Sequence, residues 1–383
     1  MAPPGNWPRE VGSGKNAQPM PRLLDSLPEL YRGLLPDFFH QDVPAETKAT
    51  CSSCAMCKDN AQGAVDSVDG VSRFFRPDTK CCTYSPRLPN YLVGALLSDE
   101  RPELAEGRRR MEEKLASRVG VTPQWVRPPA KFHFLYKNGH QFFGRAASLR
   151  CPYFAVETGG CTIWPYREAV CSTFFCKYVA GADGRKFYMS MKTYLTLAEI
   201  QLSRWTALQL LPDYVLSGRD RAETQAAPLS VEDLDDTAPP AKAYAALWKE
   251  YAGREADYYR ACFKLVRELP ADGLEKLLGL DGTIELKTLE KLHDTAVSPK
   301  LPRTLRFNPD ATVQWMSDGS VALGAYNEYD AVALPGEAYG LLVEFTGRQP
   351  VEAVRQHLRD HKQADLSEDV LVELYRHRIL VEA

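Results

Sequence analysis

An α+β fold, with a cysteine-rich metal-binding domain, a helical extension and a small C-terminal domain of three strands and three helices, is what three features of this sequence predict. Nine of the ten cysteines fall between positions 51 and 176. Apolar residues recur at spacings of three and four through much of the middle of the chain, the period of helices packed on a core. Beyond residue 301, a strand–turn–strand pattern centred on Asp318-Gly319 precedes three short amphipathic stretches.

The bulk numbers bound the answer. A chain of 383 residues, 44% hydrophobic and 25% charged, is long enough for two or three domains with buried cores. A net charge of −3 gives no footprint for nucleic acid or for a membrane surface. No apolar run approaches the ~18–20 residues that span a bilayer. The start, MAPPGNWPREVGSGKNAQPM, lacks the apolar stretch of a secretory signal. The expected compartment is therefore the cytoplasm, where disulfides rarely persist.

Taken in order, residues 1–21 are rich in Pro and Gly and are expected to form a disordered tail. Residues 22–216 are assigned to the cysteine-bearing domain. It opens with RLLDSLPELYRGLLPDFFHQDVPAE, apolar clusters broken by Pro and acids, which predicts one or two short helices. PELAEGRRRMEEKLASRVG predicts a charged helix stopped by Gly120. In KFHFLYKNGHQFFGR, Asn138-Gly139 between aromatic runs predicts a β-hairpin flanked by His133 and His140. MKTYLTLAEIQLSRWTALQLLPD has helical spacing and stops near Pro212.

Residues 217–240 lose the hydrophobic pattern and read as a linker, with VEDLDD a solvated acidic run. A helical segment is expected over 241–300, beginning with one helix from about Ala241 to Leu269. Its stripe is Tyr244, Leu247, Trp248, Tyr251, Tyr258, Cys262 and Val266, so Cys262 reads as a core residue. In the last unit, 301–383, ATVQWMSDGSVALGAY predicts a hairpin and YDAVALP a third strand. GEAYGLLVEFTG, PVEAVRQHLRDH and SEDVLVELYRHRILV predict three helices, with Ser367 a start and Gly347 a stop.

The chemistry resides in the cysteines. CSSCAMC places Cys51, Cys54 and Cys57 where one turn of backbone can direct several sulfurs at one soft metal centre. The adjacent pair Cys81-Cys82, then Cys151, and Cys161, Cys171 and Cys176 in CTIWPYREAVCSTFFC complete the set. Tetrahedral zinc and a [4Fe–4S] cluster each take four ligands, so nine thiols exceed two such sites by one. The extra thiol could bridge, react or pack. An all-sulfur shell suits both elements, while adjacent pairs and the aromatic runs around them favour one or two iron–sulfur clusters, with zinc the alternative. Arg167, set among these thiols, would offset thiolate charge and donate to sulfur; the plainer alternative is an ion pair with Glu168 or another acid.

Other motifs fall away. No G-x-G-x-x-G, P-loop or G-x-S-x-G sequence occurs. His357 and His361 share a helical face without the glutamate of a zinc-protease helix, and read as solvated surface. Asp66 and Asp69 lack the further oxygens of a calcium site.

The stretch 161–176 resembles the second half of the zinc- or iron-chelating cysteine-cluster family of YkgJ type, whose pattern is C-x-I-Y-x-x-R-P-x-x-C-x-x-F-x-C. Cys161, Ile163, Arg167, Cys171, Phe174 and Cys176 match it, after Gly160. Cys51, Cys54 and Cys57 match the leading C-x-x-C-x-x-C. The resemblance covers about 51–180. Trp164 and Glu168 stand where the family has Tyr and Pro, and the adjacent Cys pair is displaced from Cys57 to 81–82. The resemblance implies a chelated metal. A flagellin lysine methylase sharing the signature carries an iron–sulfur cluster, which adds weight to iron and leaves a methylase-like activity as one further alternative, with no methyl-donor fingerprint here.

The last unit is similar in pattern to PqqD-like winged-helix domains, which recognise ribosomally made peptides. That resemblance implies β-augmentation beside the third strand, on Tyr329, Asp330, Val332 and Leu334, with Leu371, Leu374 and Tyr375 of the last helix behind it. The expected function is thus an iron–sulfur protein acting on, or passing electrons to, a peptide or protein substrate held by the C-terminal unit. The alternative is a zinc-stabilised interaction module without catalysis.

Overall fold

The computed structural model describes residues 22–41, 43–48, 51, 54–57, 67–68, 71–72, 74–214 and 229–383. The expected tail, Asp66, Asp69 and residues 217–228 of the expected linker lie outside them. Among the described residues no helix is long and apolar enough to cross a membrane.

Two apolar cores organise an α+β architecture. The chain enters the first through two 3₁₀ turns and α1 (Asp37–His40), one more helical turn than expected, then passes the short ladder β1 (Ser67–Val68)–β2 (Val71–Ser72). β3 (Leu88–Pro89) and β4 (Trp125–Val126) pair antiparallel around α2 (Asn90–Ser98) and α3 (Ala105–Ser117). Only Ser98 of α2 reaches the surface. Its first residue, Asn90, anchors it: Nδ2 donates to the carbonyls of Pro123 and Ser203 at 3.0 Å, and Oδ1 accepts from Tyr91 N and the Thr206 hydroxyl. The charged helix α3 forms as expected; Arg118 takes the left-handed cap, two residues before Gly120 at φ +70°.

The predicted 131–145 hairpin is a helix, α4 (Ala130–Asn138). Phe132, Leu135 and Tyr136 recur at three and four, and the Asn138 side chain donates back to Phe134 O (2.8 Å). The Asn-Gly pair therefore ends a helix rather than turning a hairpin. β5 (Phe154–Ala155) and β6 (Gly160–Cys161) pair, and α5 (Ala169–Thr173) and the long α6 (Gly181–Leu210) follow. α6 begins ten residues before the expected Met191, because GADGRKFYMS continues its stripe through buried Phe187 and Tyr188.

Within 229–240, Ser230 caps a single exposed turn, α7 (Val231–Leu234). The helix expected over 241–269 is two, α8 (Ala241–Trp248) and α9 (Glu255–Arg267), broken where Lys249 (φ +48°) and Gly253 (φ +80°) adopt left-handed conformations. Cys262 is fully buried, as its stripe predicts. α9 lies on α2 and α10 (Gly273–Val297) on α6, so 241–297 shares the first core rather than forming a separate unit.

The second core belongs to the C-terminal unit. β7 (Thr304–Phe307) precedes the hairpin β8 (Thr312–Trp315)–β9 (Ser320–Gly324), which pairs Trp315 with Val321 across Gly319 (φ +83°). β10 (Val332–Pro335), α11 (Gly336–Leu342), β11 (Thr346–Pro350), α12 (Val351–Lys362), α13 (Glu368–Arg376) and β12 (Leu380–Glu382) complete it. The expected strands and helices are present, with Ser367 capping α13 through Val370 N. Three further strands were not expected: two sheets form, β10-β9-β8 and β11-β7-β12, the second pairing residues far apart in sequence. Gly347 (φ +82°) lies in β11 and stops no helix; α11 ends at Leu342.

Candidate metal centre

The sulfurs are distributed along one seam of the first unit. Cys54, Cys57 and Cys176 are buried with Met56, Phe75 and Phe143 in a small apolar cluster, and Cys81 packs against it. The Cys81 thiol also faces those of Cys51 and Cys82. Cys82 and Cys161 pack on the first core, Cys151 is buried within it, and the Cys171 thiol faces Cys151 and Cys161. All ten cysteines are free thiols.

The backbone explains the convergence. Cys151 N donates to Cys82 O (2.8 Å), tying the two segments directly. Phe75 N donates to Met56 O (2.7 Å), fixing the C-x-x-C loop on the segment before Cys81. Lys80 Nζ donates to the carbonyls of Cys51 (2.9 Å) and Gly159 (2.6 Å), joining the first motif to the turn before Cys161. Helix α5 presents Cys171.

Arg167 stands in this seam. Its guanidinium lies 3.4 Å from the centre of the Trp164 ring and donates to the carbonyls of Trp164, Cys171 and Ser26, each at 3.1 Å. The donors thus go to backbone oxygens, correcting the expectation that they reach sulfur. The charge itself faces Cys171, Cys161, Cys51 and Cys81, which oppose the fall in pKa that burial causes. Among the described residues no carboxylate forms an ion pair with it. Glu168 is occupied elsewhere, accepting from Val170 N (2.7 Å) and Cys171 N (3.0 Å) as the cap of α5.

Burial raises most of these thiols. It pushes Cys151 up to about 12, and Cys176 up to about 12 with Cys54 adding to the effect. Cys171 is raised by burial, then by Glu168 and Cys151. Cys161 rises through burial. For Cys81 the contact with Cys51 lowers the value, but Cys82 and burial outweigh it. Thiols raised in this way give up their protons when a metal cation arrives to share the charge.

Among the described residues no three His, Cys, Asp or Glu side chains close around a point that could hold a metal ion. The chemistry of the donor set nonetheless fits a soft metal: many sulfurs, all but Cys51 buried or half-buried, and a partly desolvated guanidinium with no carboxylate partner among the described residues. His133 and His140 are exposed, on α4 and just beyond it. His357 and His361 stack at 4.4 Å on the exposed face of α12.

A buried polar network behind the seam had no motif. Glu168 and Glu199 are 4% and 3% exposed. Glu199 accepts from Ala169 N (2.7 Å) and the Tyr31 hydroxyl (3.3 Å), which also bonds Tyr91 OH (2.8 Å). Burial, then Glu168, raises the Glu199 carboxyl well above its ordinary value. Glu199 could have been found: it interrupts the apolar stripe Leu195, Ala198, Leu202 of α6.

Of the expected peptide surface, Leu334, Leu371 and Leu374 are buried in the second core. Tyr329 and Asp330 turn to the first unit, where Tyr329 joins the cysteine-bearing apolar cluster and Asp330 is 3% exposed. The expected peptide surface thus reduces to the main chain of β10, an edge strand bonded to β9, with Val332 and Tyr375 half-buried beside it. Comparison with protein-family models, curated proteins and solved structures gives no match.

Proposed function

We propose that the cysteine seam binds a thiolate-ligated metal centre, with one or two iron–sulfur clusters as the first reading, and that the C-terminal unit presents a peptide or protein to it along β10. What supports this most is Arg167: a half-buried cation whose charge faces four thiols and, among the described residues, no paired carboxylate. A guanidinium in that setting is poorly compensated until the sulfurs ionise, and thiolates in turn need a cation to remain buried. Cys51, Cys81, Cys82, Cys151, Cys161 and Cys171 would hold the group on one side, and Cys54, Cys57 and Cys176 on the other. Such a cluster supplies one-electron chemistry. The chain's own part is to exclude water, fix the sulfurs through Lys80 and Glu168, and offset charge through Arg167. Peptide presentation draws support from the edge position of β10, whose outer main-chain groups suit strand addition.

A second reading is a structural zinc centre in an interaction module. It is favoured by the donor set itself, since an all-sulfur shell suits zinc as well as iron. Analysis of iron, zinc and acid-labile sulfide in protein purified without oxygen separates the two. Iron with equimolar sulfide, about four of each per cubane, is the expected result. Stoichiometric zinc without sulfide selects the second reading, and protein free of any metal sinks both.

A further inference from the structure

The loop joining β9 to β10 crosses from the C-terminal unit to the cysteine seam. Asn327 Nδ2 donates to Cys176 O (2.8 Å), and Tyr178 N donates to Asp330 Oδ2 (3.3 Å), so the loop grips the chain at Cys176 and two residues beyond it. Between these two contacts, the Tyr329 ring packs at 5.5 Å on Phe75 and 6.3 Å on Phe143, the aromatic members of the apolar cluster that holds Cys54, Cys57 and Cys176. Phe75 itself bridges to Cys57.

The loop is held firmly at its own base. Lys48 pairs with Asp330 (3.0 Å) and meets His377 Nε2 (3.0 Å), while the Tyr326 hydroxyl donates to Asp330. Arg185 donates to Tyr326 O (2.6 Å), and Arg378 pairs with Asp183 (2.5 Å) across the same joint. Val332, where β10 begins, lies two residues beyond Asp330.

We propose that Asn327, Tyr329 and Asp330 are positioning residues for Cys176, so that the sulfur site is completed by the C-terminal unit and is mechanically tied to edge strand β10. This deepens the metal-centre reading and rests on it for its functional meaning. A segment added to β10 pulls on the residues that hold the chain at Cys176, and by reciprocity a change at Cys176 alters the edge that receives the segment.

The test uses the full-length, reduced, metal-free chain. Alkylation by iodoacetamide is followed cysteine by cysteine through peptide mass spectrometry. In Tyr329→Ala and in Asn327→Ala, Cys176 is expected to react about tenfold faster than in the parent, because local opening governs the reactivity of a buried thiol. Tyr329→Phe, which keeps the ring, is expected to stay within about twofold. Cys262, buried in α9, reports the global fold and is expected to be unchanged in all three. Cys176 reacting at the parental rate in both alanine variants overturns the proposal. So does Cys262 rising in step with Cys176, since the loop would then act only through overall stability. Because the chain is metal-free throughout, a failure to bind metal would sink the metal reading without touching this result.

Discussion

Arg167→Leu is expected to lower the metal bound per chain by about tenfold or more, the usual scale for losing a group that tunes a metal site from outside its ligands. Two losses combine. The charge facing Cys171, Cys161, Cys51 and Cys81 disappears, leaving these thiolates without its compensation. Three carbonyls, of Trp164, Cys171 and Ser26, also lose their donor. Each such bond from a charged donor contributes about 1.5–3 kcal/mol, so the metal-free fold weakens as well. Arg167→Lys keeps the charge but not the fork of donors, and should fall between the parent and the leucine variant. Metal content and melting temperature measured side by side separate the two losses. Full metal in the leucine variant would show that Arg167 has no part in holding the metal.

The second large effect concerns the helices behind the seam. Gly94 in α2 faces α9 so closely that an added Cβ would overlap the Tyr259 carbonyl oxygen and lie 2.9 Å from Phe263 Cβ. Most of what it meets is backbone, which cannot rotate away, so the two helices would have to part. Overpacking of this kind costs about 3 kcal/mol or more, a large share of a domain's ~5–15 kcal/mol. Gly94→Ala should therefore show a markedly lower urea midpoint or fail to accumulate as folded protein. Gly340→Ala in α11 is the matched control, since a Cβ there meets nothing within 4 Å. It should be neutral or stabilising by up to about 1 kcal/mol. Equal behaviour of the two variants would contradict the packing of α9 on α2.

What the sequence disclosed follows from how local each signal is. Asp318-Gly319 turns a hairpin because Gly319 supplies the positive φ within the turn itself. Asn138-Gly139 misleads because the same pair also suits a helix end, and the spacing of Phe132, Leu135 and Tyr136 decides for helix. The break between α8 and α9 had a visible cause in Gly253, overridden by an apolar stripe that continues across it. Helix α2 gave no periodic signal, since a helix buried on nearly every side has no polar face to mark it. β7, β11 and β12 pair across the length of the C-terminal unit, so no short window contains the evidence for them.

The candidate site divides in the same way. Nine cysteines announce themselves by number and spacing, whereas Glu199 and Asn327 gain their meaning only from a fold that brings distant segments together. Tyr329 and Asp330 were legible as residues of interest. Their direction, toward Cys176 and Tyr178 rather than toward a peptide, was not.

The most direct measurement of the central claim is X-ray absorption at the iron and zinc edges on the full chain purified without oxygen. Thiolate ligation by the seam predicts a first shell of about four sulfurs near 2.3 Å from the metal, with a nearby iron scatterer if the centre is a cluster. A shell of nitrogen and oxygen near 2.0–2.1 Å, or no edge at either element, would contradict thiolate ligation by this seam.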